Sequence, residues 1–318
     1  MTATMVPPPT GGAPAEPEPQ AVETSAAGRV RKTMTNPVAS TLAVLIGVLW
    51  TIPTIQLLIQ SFRGKHGQDT KSPWSFSDLT LDNYRHVLSG PASIATNLVN
   101  SIVIVIPAAL IPIAVAAMAA YALVWIDFRG RDWIYIGIFA LQVVPLQVAV
   151  VPLLRFVTRG LQIGGVTLLP KPGLAGTVGA IWLAHACFAL PLAIFLMHNF
   201  MSEIPKDLLE AARIDGAGHG QIFRMIMLPL LRPALAAFGI FQFLWVWNDL
   251  FVGLVMSGGN PDIAPVTISI ANLQNSTSGA GAEFLPAAAF ISIVIPLFVF
   301  IALQRYFVRG LLAGSVKG

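Results

Sequence analysis

Six stretches of this 318-residue chain each run for about 20 or more mostly apolar residues, the length a helix needs to cross the hydrocarbon core of a bilayer. They cover residues 38–60, 97–124, 133–157, 177–197, 233–256 and 284–303. Between them the chain has no room for a separate soluble core. Only 11% of its residues are charged, against about 25% in a soluble globular protein, and the mean hydropathy is +0.72. These figures exclude an ordinary cytosolic enzyme. The expected fold class is an all-α membrane protein with six transmembrane helices. Pro53, Pro107, Pro112, Pro145, Pro152, Pro191 and Pro296 fall inside the spans. They are read as kinks in a packed bundle, where neighbouring helices re-satisfy the freed carbonyls.

One cysteine, Cys187, rules out a disulfide framework and a Cys-rich metal site. The net charge of +4 is spread rather than massed, so nucleic acid is not expected as a partner. No GxxxxGK[ST] is present, so the chain does not cradle ATP in a P-loop of its own. Residues 1–36 carry Pro7, Pro8, Pro9, Pro14, Pro17 and Pro19 with Glu16, Glu18 and Glu23 among them, and read as a disordered tail. The tail is not a signal peptide, since no apolar core follows a basic start within it. Arg29, Arg31 and Lys32 stand just before the first span, as a cytoplasmic anchor does. With the N-terminus inside, twelve Lys and Arg fall on inner segments and seven on outer ones, and the fifth connection, 257–283, has none. That asymmetry places both termini in the cytoplasm. The domain reading is a tail at 1–36, a membrane domain at 37–309 with an inner loop at 201–232, and a tail at 310–318.

The inner loop is the least membrane-like stretch on its side. It holds Glu210-Ala211-Ala212, then Gly216, then Ile226, Leu228 and Pro229: EAA-x3-G-x9-I-x-LP, with seven positions met at fixed spacing. Pro205 suits the first turn of a helix, where its missing N–H is harmless. Leu208, Leu209, Ala211, Ala212 and Ile214 give that helix an apolar side, and the two alanines keep it slim enough for another protein's groove to approach closely. Gly216 is placed to end it in a left-handed conformation. Asp207, Glu210, Arg213 and Asp215 supply polar contacts. A second short helix is expected at about 220–227, with Pro229 and Pro233 turning the chain back into the membrane. An amphipathic helix lying on lipid is the simpler alternative, but it has no need of Gly216 or the LP ending.

On these residues the chain resembles the membrane-spanning subunit of binding-protein-dependent ABC importers. The resemblance extends over about residues 40–318. Asn83-Tyr84, Asn100-Ser101, Ala120-Tyr121-Ala122-Leu123 and the basic Phe128-Arg129-Gly130-Arg131 look like family features. Gln304-Arg305-Tyr306-Phe307-Val308-Arg309-Gly310 and the terminal Ala313-Gly314-Ser315-Val316-Lys317-Gly318 are similar to the maltose and α-glucoside type permeases. The long Pro-rich N-tail departs from the family's compact start. The resemblance implies the type I importer permease fold and a bacterial inner-membrane location. Its implied function is import of a sugar, an oligosaccharide or α-glucoside. The implied partners are a second, related permease, two ATP-binding subunits that use ATP and Mg, and an extracytoplasmic sugar-binding protein. The chain itself would be no enzyme and bind no cofactor or metal. Glu210, Ala211, Ala212, Arg213, Asp215 and Gly216 would couple it to the ATPase. The resemblance also suggests that the outer loop 257–283 reaches the sugar cleft of the docked binding protein, with a flexible spacer as the alternative. The small residues of the C-terminal tail, 310–318, would let it slip between the ATPase subunits, with a frayed terminus as the alternative.

Gln242, Trp245, Asn248 and Asp249 form a polar and aromatic cluster in the fifth span, with Gln242, Trp245 and Asp249 expected on one helix face. Trp, amide and carboxylate are what a hydrated sugar would contact, and an ionisable group in a span is a functional candidate. The alternative is a Trp at the membrane boundary with Asp249 bracing helices. His185 and Cys187 are read as bundle packing, and Asn100, Gln142 and Gln147 as hydrogen-bonding across helices. The 257–283 connection is read as a polar loop longer than it needs to be. Two other importer readings stay open, a non-sugar ABC permease and an ion-coupled secondary transporter. The latter is disfavoured because there is no internal repeat and only one midspan acid.

Overall fold

The structure, a computed structural model, describes residues 37–64, 72, 74–90, 93–274 and 282–313, with the side chains of 282 and of 305–313 excepted. The expected N-terminal tail, the C-terminal Ser315 and Lys317, and most of the segment 272–281 therefore lie outside the described residues. The chain divides into two units, Met1–Thr51 and Ile52–Gly318. Helix α1 (Pro37–Ser61) runs through the division. Within the first unit it presents Leu45, Leu49 and Trp50 outward. The Thr41 and Thr51 hydroxyls donate back to the carbonyls of Pro37 and Val48 at 2.8 Å. Each polar group is thus satisfied inside its own helix, as a lipid environment demands.

In the second unit, α2 (Asp82–Ser89) follows the end of α1. Asn83 donates its amide to the carbonyls of Ser61 and Arg63 at 3.1 and 2.7 Å, and Tyr84 and Ser61 share a hydrogen bond of 2.6 Å. The Asn83-Tyr84 pair is therefore a clasp on the carbonyl end of α1, where orphan acceptors need donors. The centre of the bundle is α3 (Ala95–Trp125) packed along α6 (Val178–Ser202). Alanines make the seam: Ala108, Ala116 and Ala120 on α3, and Ala180, Ala184 and Ala193 on α6, all buried. Without a hydrophobic driving force in lipid, small residues let backbones approach and gain dispersion contact.

The third expected span is not one helix. Helix α4 (Arg131–Ala140) with its 3₁₀ continuation Leu141–Val143 meets α5 (Leu146–Arg159) at a bend of 108°. Val144 is extended, as the residue before a proline tends to be, and Pro145 has no N–H to carry the ladder across. So among the described residues five helices are long and apolar enough to cross a membrane, or six if the bent pair is one span. A small antiparallel hairpin, β1 (Leu161–Ile163) and β2 (Val166–Leu169), follows. With the isolated antiparallel bridge between Arg63 and Leu79, it departs from all-α structure among the described residues.

After α6 come α7 (Lys206–Ile214) and a 30-residue helix, α8 (His219–Asn248). The expected turn at Pro229 and Pro233 is absent. Instead Phe223–Met227 is a π turn continuous with the helix on both sides. A π turn shifts donors by one residue, and the prolines' missing N–H groups are absorbed just beyond it. The fifth span accordingly begins earlier than 233 and ends at Asn248.

The connection expected to be a polar loop is mostly helical. The end of the expected fifth span forms a separate short helix, α9 (Phe251–Ser257), and the 257–283 connection itself holds a 3₁₀ turn Pro261–Ile263 and α10 (Val266–Gln274), before α11 (Leu285–Ala313). The start of α3 holds it. Asn97 donates to Ala264 O at 2.9 Å, Asn100 to Asp262 O at 2.7 Å, and Ser101 Oγ accepts from the Val266 N–H at 2.8 Å. Asn100 thus bonds backbone rather than another helix's side chain. Gln142 and Gln147, also expected to bond across helices, are exposed. Replacing Asn100→Ala and Ser101→Ala together should loosen α10, at about 0.6–2 kcal/mol for each bond. The expected outcome is faster protease cleavage between α9 and α10 in detergent, with α3 itself intact. Unchanged cleavage would show that the apolar contacts of Val266 suffice.

Candidate functional site

Helix α7 rises from Pro205, whose ψ of 135° sets the chain's entry. Its closing is a Schellman motif. The Ala217 N–H reaches back to Ala212 O at 2.9 Å and the Gly216 N–H to Arg213 O at 3.0 Å, with Gly216 at φ +83°. Nothing stands within 4 Å of where a Gly216 β-carbon would be. The glycine is therefore required by backbone conformation, not by space.

One side of α7 is built into the chain. Leu209 and Ala212 are buried in a cluster with Tyr121 and Leu123 of α3, Met197 and Met201 of α6, and Ile222 and Met227 of α8. This corrects the expectation that Ala212 keeps an outer surface slim, because that methyl is pressed against the bundle. Glu210, Ala211, Arg213, Asp215 and Gly216 are exposed, with Leu208 beside them. Ile214 is 85% exposed, and Met225 on the π turn 74%. A two-residue polar bridge, Tyr121 Oη to His219 Nδ1 at 3.0 Å, fixes the start of α8 to α3. The result is a short helix clamped from behind, with apolar and charged side chains facing out together.

The second candidate cluster is taken apart by the fold. Gln242 is buried and donates to Ala108 O at 3.3 Å, joining α8 to α3. Asn248 is exposed and bonds the Leu244 carbonyl of its own turn at 2.8 Å. Asp249 lies beyond the last turn of α8 with ψ 131°, so it does not share a helix face with Gln242 and Trp245. Its carboxylate accepts from the Gly253 N–H at 3.0 Å and so caps α9, while its carbonyl accepts from Thr267 of α10 at 2.8 Å. Trp245 points to the elbow of α4 and α5, a groove of about 840 Å³ shared with Gln142, Phe156, Cys187 and Phe188. Cys187, expected in bundle packing, is exposed on that groove.

One residue read as packing belongs with this site. His185 of α6 is 1% exposed, with Nε2 at 3.6 Å from Asp249 Oδ2 and its ring edge-on to Trp245 at 5.8 Å between centroids. The pair becomes an ion pair when the imidazole is protonated. The signal was present in the sequence, since His185, like Asp249, is an ionisable group inside a span. What the sequence does not give is the break at Asp249 that swings the carboxylate towards α6.

The geometry generates a test that needs no partner. Gly216→Val puts a β-branched residue in a left-handed turn, costing about 1–2 kcal/mol, and Ala212→Leu overpacks the buried side of α7 by about 1–3 kcal/mol. Both variants should lower the thermal midpoint of the purified chain in detergent, whereas Ala211→Leu on the outer side should not. Equal behaviour of Ala211→Leu and Ala212→Leu would contradict the two-sided character of α7.

Comparison with known proteins bears on both clusters. The family described as "Binding-protein-dependent transport system inner membrane component" matches residues 113–312, which include all of α6, α7 and α8. The osmoprotective compounds uptake permease protein GgtD of Synechocystis sp. is 45% identical over 279 residues, covering 86% of this chain and 89% of GgtD. The alpha-glucoside transport system permease protein AglG of Rhizobium meliloti is 50% identical over 239 residues, 75% of this chain and 60% of AglG. Among solved structures, a chain of a bacterial ABC transporter involved in import of the acidic polysaccharide alginate superposes with a TM-score of 0.69 at 22% identity. It covers 89% of this chain and 98% of that one, and establishes the likeness of fold.

Proposed function

Because the chain belongs to the inner membrane components of binding-protein-dependent transport systems, we propose that it is the permease subunit of an ATP-driven importer that carries a sugar into the cytoplasm. The observation that carries this reading is α7: a helix clamped to the bundle through Leu209 and Ala212 while Ile214, Leu208, Glu210 and Arg213 face outward. Such a helix transmits force in both directions. A partner that grips its outer side moves α3, α6 and α8 with it, because all three contribute to the cluster behind it. The grip on the outer side would come from an ATP-binding subunit, two copies of which use ATP and Mg. A second, related permease and an extracytoplasmic sugar-binding protein complete the complex. This chain performs no bond chemistry. Its residues hold α7 in place and pass its displacement to the spans.

On this reading the α7 end is cytoplasmic and both termini lie on that side, in keeping with the Lys and Arg asymmetry. The tails at 1–36 and 310–318 flank the membrane domain at 37–309. For the substrate, an oligosaccharide or α-glucoside is favoured by the likeness to AglG along 75% of the chain. The 45% identity to an osmoprotective compounds permease supports a second reading, an osmoprotective solute. Of the expected pathway residues, Trp245 and Asp249 remain our candidates for substrate contact, a reading supported by the position of Trp245 on the elbow groove and of Asp249 at the end of α8. Gln242 serves helix packing.

In the complete transporter, Ile214→Asp should leave the chain inserted and as stable as the parent, yet cut co-purification of the ATPase subunit and substrate uptake at least tenfold. Wild-type levels of both would remove α7 from the mechanism. Parallel uptake of a radiolabelled α-glucoside and a non-sugar osmoprotectant decides between the substrate readings. Separately, Asp249→Ala should disturb the α9 cap by about 0.5–2 kcal/mol, whereas Asp249→Asn keeps an acceptor for Gly253. Uptake lost in both variants marks the carboxylate charge as functional, and uptake restored by Asn marks it as a cap alone.

A further inference from the structure

We propose that the β1–β2 hairpin is an interfacial anchor that lays its apolar face into the outer bilayer leaflet and draws anionic phospholipid headgroups to the cations at its base. The name of the leaflet rests on the orientation given under Proposed function. The lipid contact rests on the hairpin alone.

Gly164 and Gly165 have φ of +59° and +83°, the two left-handed positions of a type I′ turn, which matches strand twist and makes a tight hairpin. Leu161 pairs with Leu169, Gln162 with Thr167 and Ile163 with Val166, with a register shift between the first two pairs that leaves Leu168 as the extra residue. Paired residues share a face and successive residues alternate. Leu161, Ile163, Val166 and Leu169 therefore form one wholly apolar face, and Gln162 and Thr167 the polar one. Apart from Leu161, which borders the elbow groove, this face stays largely open among the described residues: its four side chains are 41%, 64%, 62% and 51% exposed. A two-stranded ribbon with such a face is poorly suited to water.

Charge identifies the cover. Arg155 and Arg159 lie just before the hairpin and Lys171 just after it, all three exposed. Among the described residues none of them takes part in an ion pair. No acidic residue occurs anywhere between Asp132 and Glu203. An amphipathic ribbon with cations at its edge and no acids is the composition of an element lying in the headgroup region, where cations are attracted to an anionic surface. Position agrees. Thr177 caps α6 eight residues after Leu169, its Oγ1 accepting from the Gly179 N–H at 3.2 Å, so the chain re-enters the membrane directly from this ribbon.

The test uses the complete transporter in vesicles of phosphatidylglycerol and phosphatidylcholine, with the chain carrying Cys187→Ser and a single cysteine at Ile163→Cys or Thr167→Cys. Each cysteine is labelled with an environment-sensitive fluorophore. Nitroxide-bearing lipid should quench the label at position 163 at least twofold more than that at 167, while aqueous iodide shows the opposite order. Nitroxide carried on phosphatidylglycerol should quench the 163 label more than nitroxide on phosphatidylcholine. That preference should disappear when Arg155→Gln, Arg159→Gln and Lys171→Gln are combined. Iodide quenching of both labels alike would overturn the proposal by placing the ribbon in water. A 163 label reached by neither quencher would overturn it by placing the ribbon under another subunit. A phosphatidylglycerol preference that is missing, or that survives the triple substitution, would overturn the headgroup assignment. None of these readouts depends on substrate uptake, so a failure here is distinct from a failure of the importer reading.

Discussion

The alanine seam between α3 and α6 is the contact on which the rest of this structure depends. Ala108, Ala116 and Ala120 on one side and Ala180, Ala184 and Ala193 on the other are fully or almost fully buried where the two helices pack. In lipid that closeness is the main source of cohesion, since apolar burial is worth nothing against an apolar solvent. Several neighbouring groups are tied to the seam. Gln242 bonds an α3 carbonyl at Ala108, His185 projects from α6 towards the Asp249 break, and Trp182 of α6 donates to Val103 O of α3 at 3.0 Å. The seam also reaches the α7 end, where Tyr121 and Met197 continue it into the cluster that holds Leu209 and Ala212. The packing behind α7 is therefore continuous with the seam.

Much of this was legible in the amino-acid order, and the exceptions share a cause. Spans 1, 2, 4 and 6 are long apolar runs, and the structure begins each within a few residues of the expected place, although α11 continues to Ala313, ten residues past the expected end of span 6. The Gly216 cap follows from spacing alone, because the local backbone decides it. The failures are all decisions made by neighbours. Pro145 breaks a helix whereas Pro107 and Pro112 of α3 do not, because α3 is gripped by α6 along its length and α4 presents no buried residue. The 257–274 segment is polar enough to read as a loop, yet Asn97, Asn100 and Ser101 hold its turn on α3. Ala212 and Ala211 are identical in sequence terms, and only packing separates the buried one from the exposed one.

The candidate pathway shows the same limit in another form. Helical periodicity put Gln242, Trp245 and Asp249 on one stripe, and the helix stops one residue before the stripe is complete. What results is more informative than a stripe. Asp249 ties two elements by hydrogen bonds, α9 through Gly253 and α10 through Thr267, and its carboxylate stands 3.6 Å from His185 of α6. Trp245, one turn earlier, looks instead into the elbow of α4 and α5. The cluster is thus a junction between helices with one aromatic wall on a groove, and its chemistry belongs to the elements it joins.

The π turn at Phe223–Met227 gives α8 a property that its length alone does not. An α-helix advances about 100° per residue, and a π turn accommodates one residue more than the α-helical winding around it would hold. The portion beside α7 and the portion that carries Trp245 are therefore out of phase with each other by that angle, like two lengths of screw joined with a skipped thread. Removing a single residue between 223 and 227 would restore an unbroken thread, and α8 would then turn either its Ile222 side away from α7 or its Gln242 side away from Ala108. The two ends of the molecule are in register only because this one turn is wide.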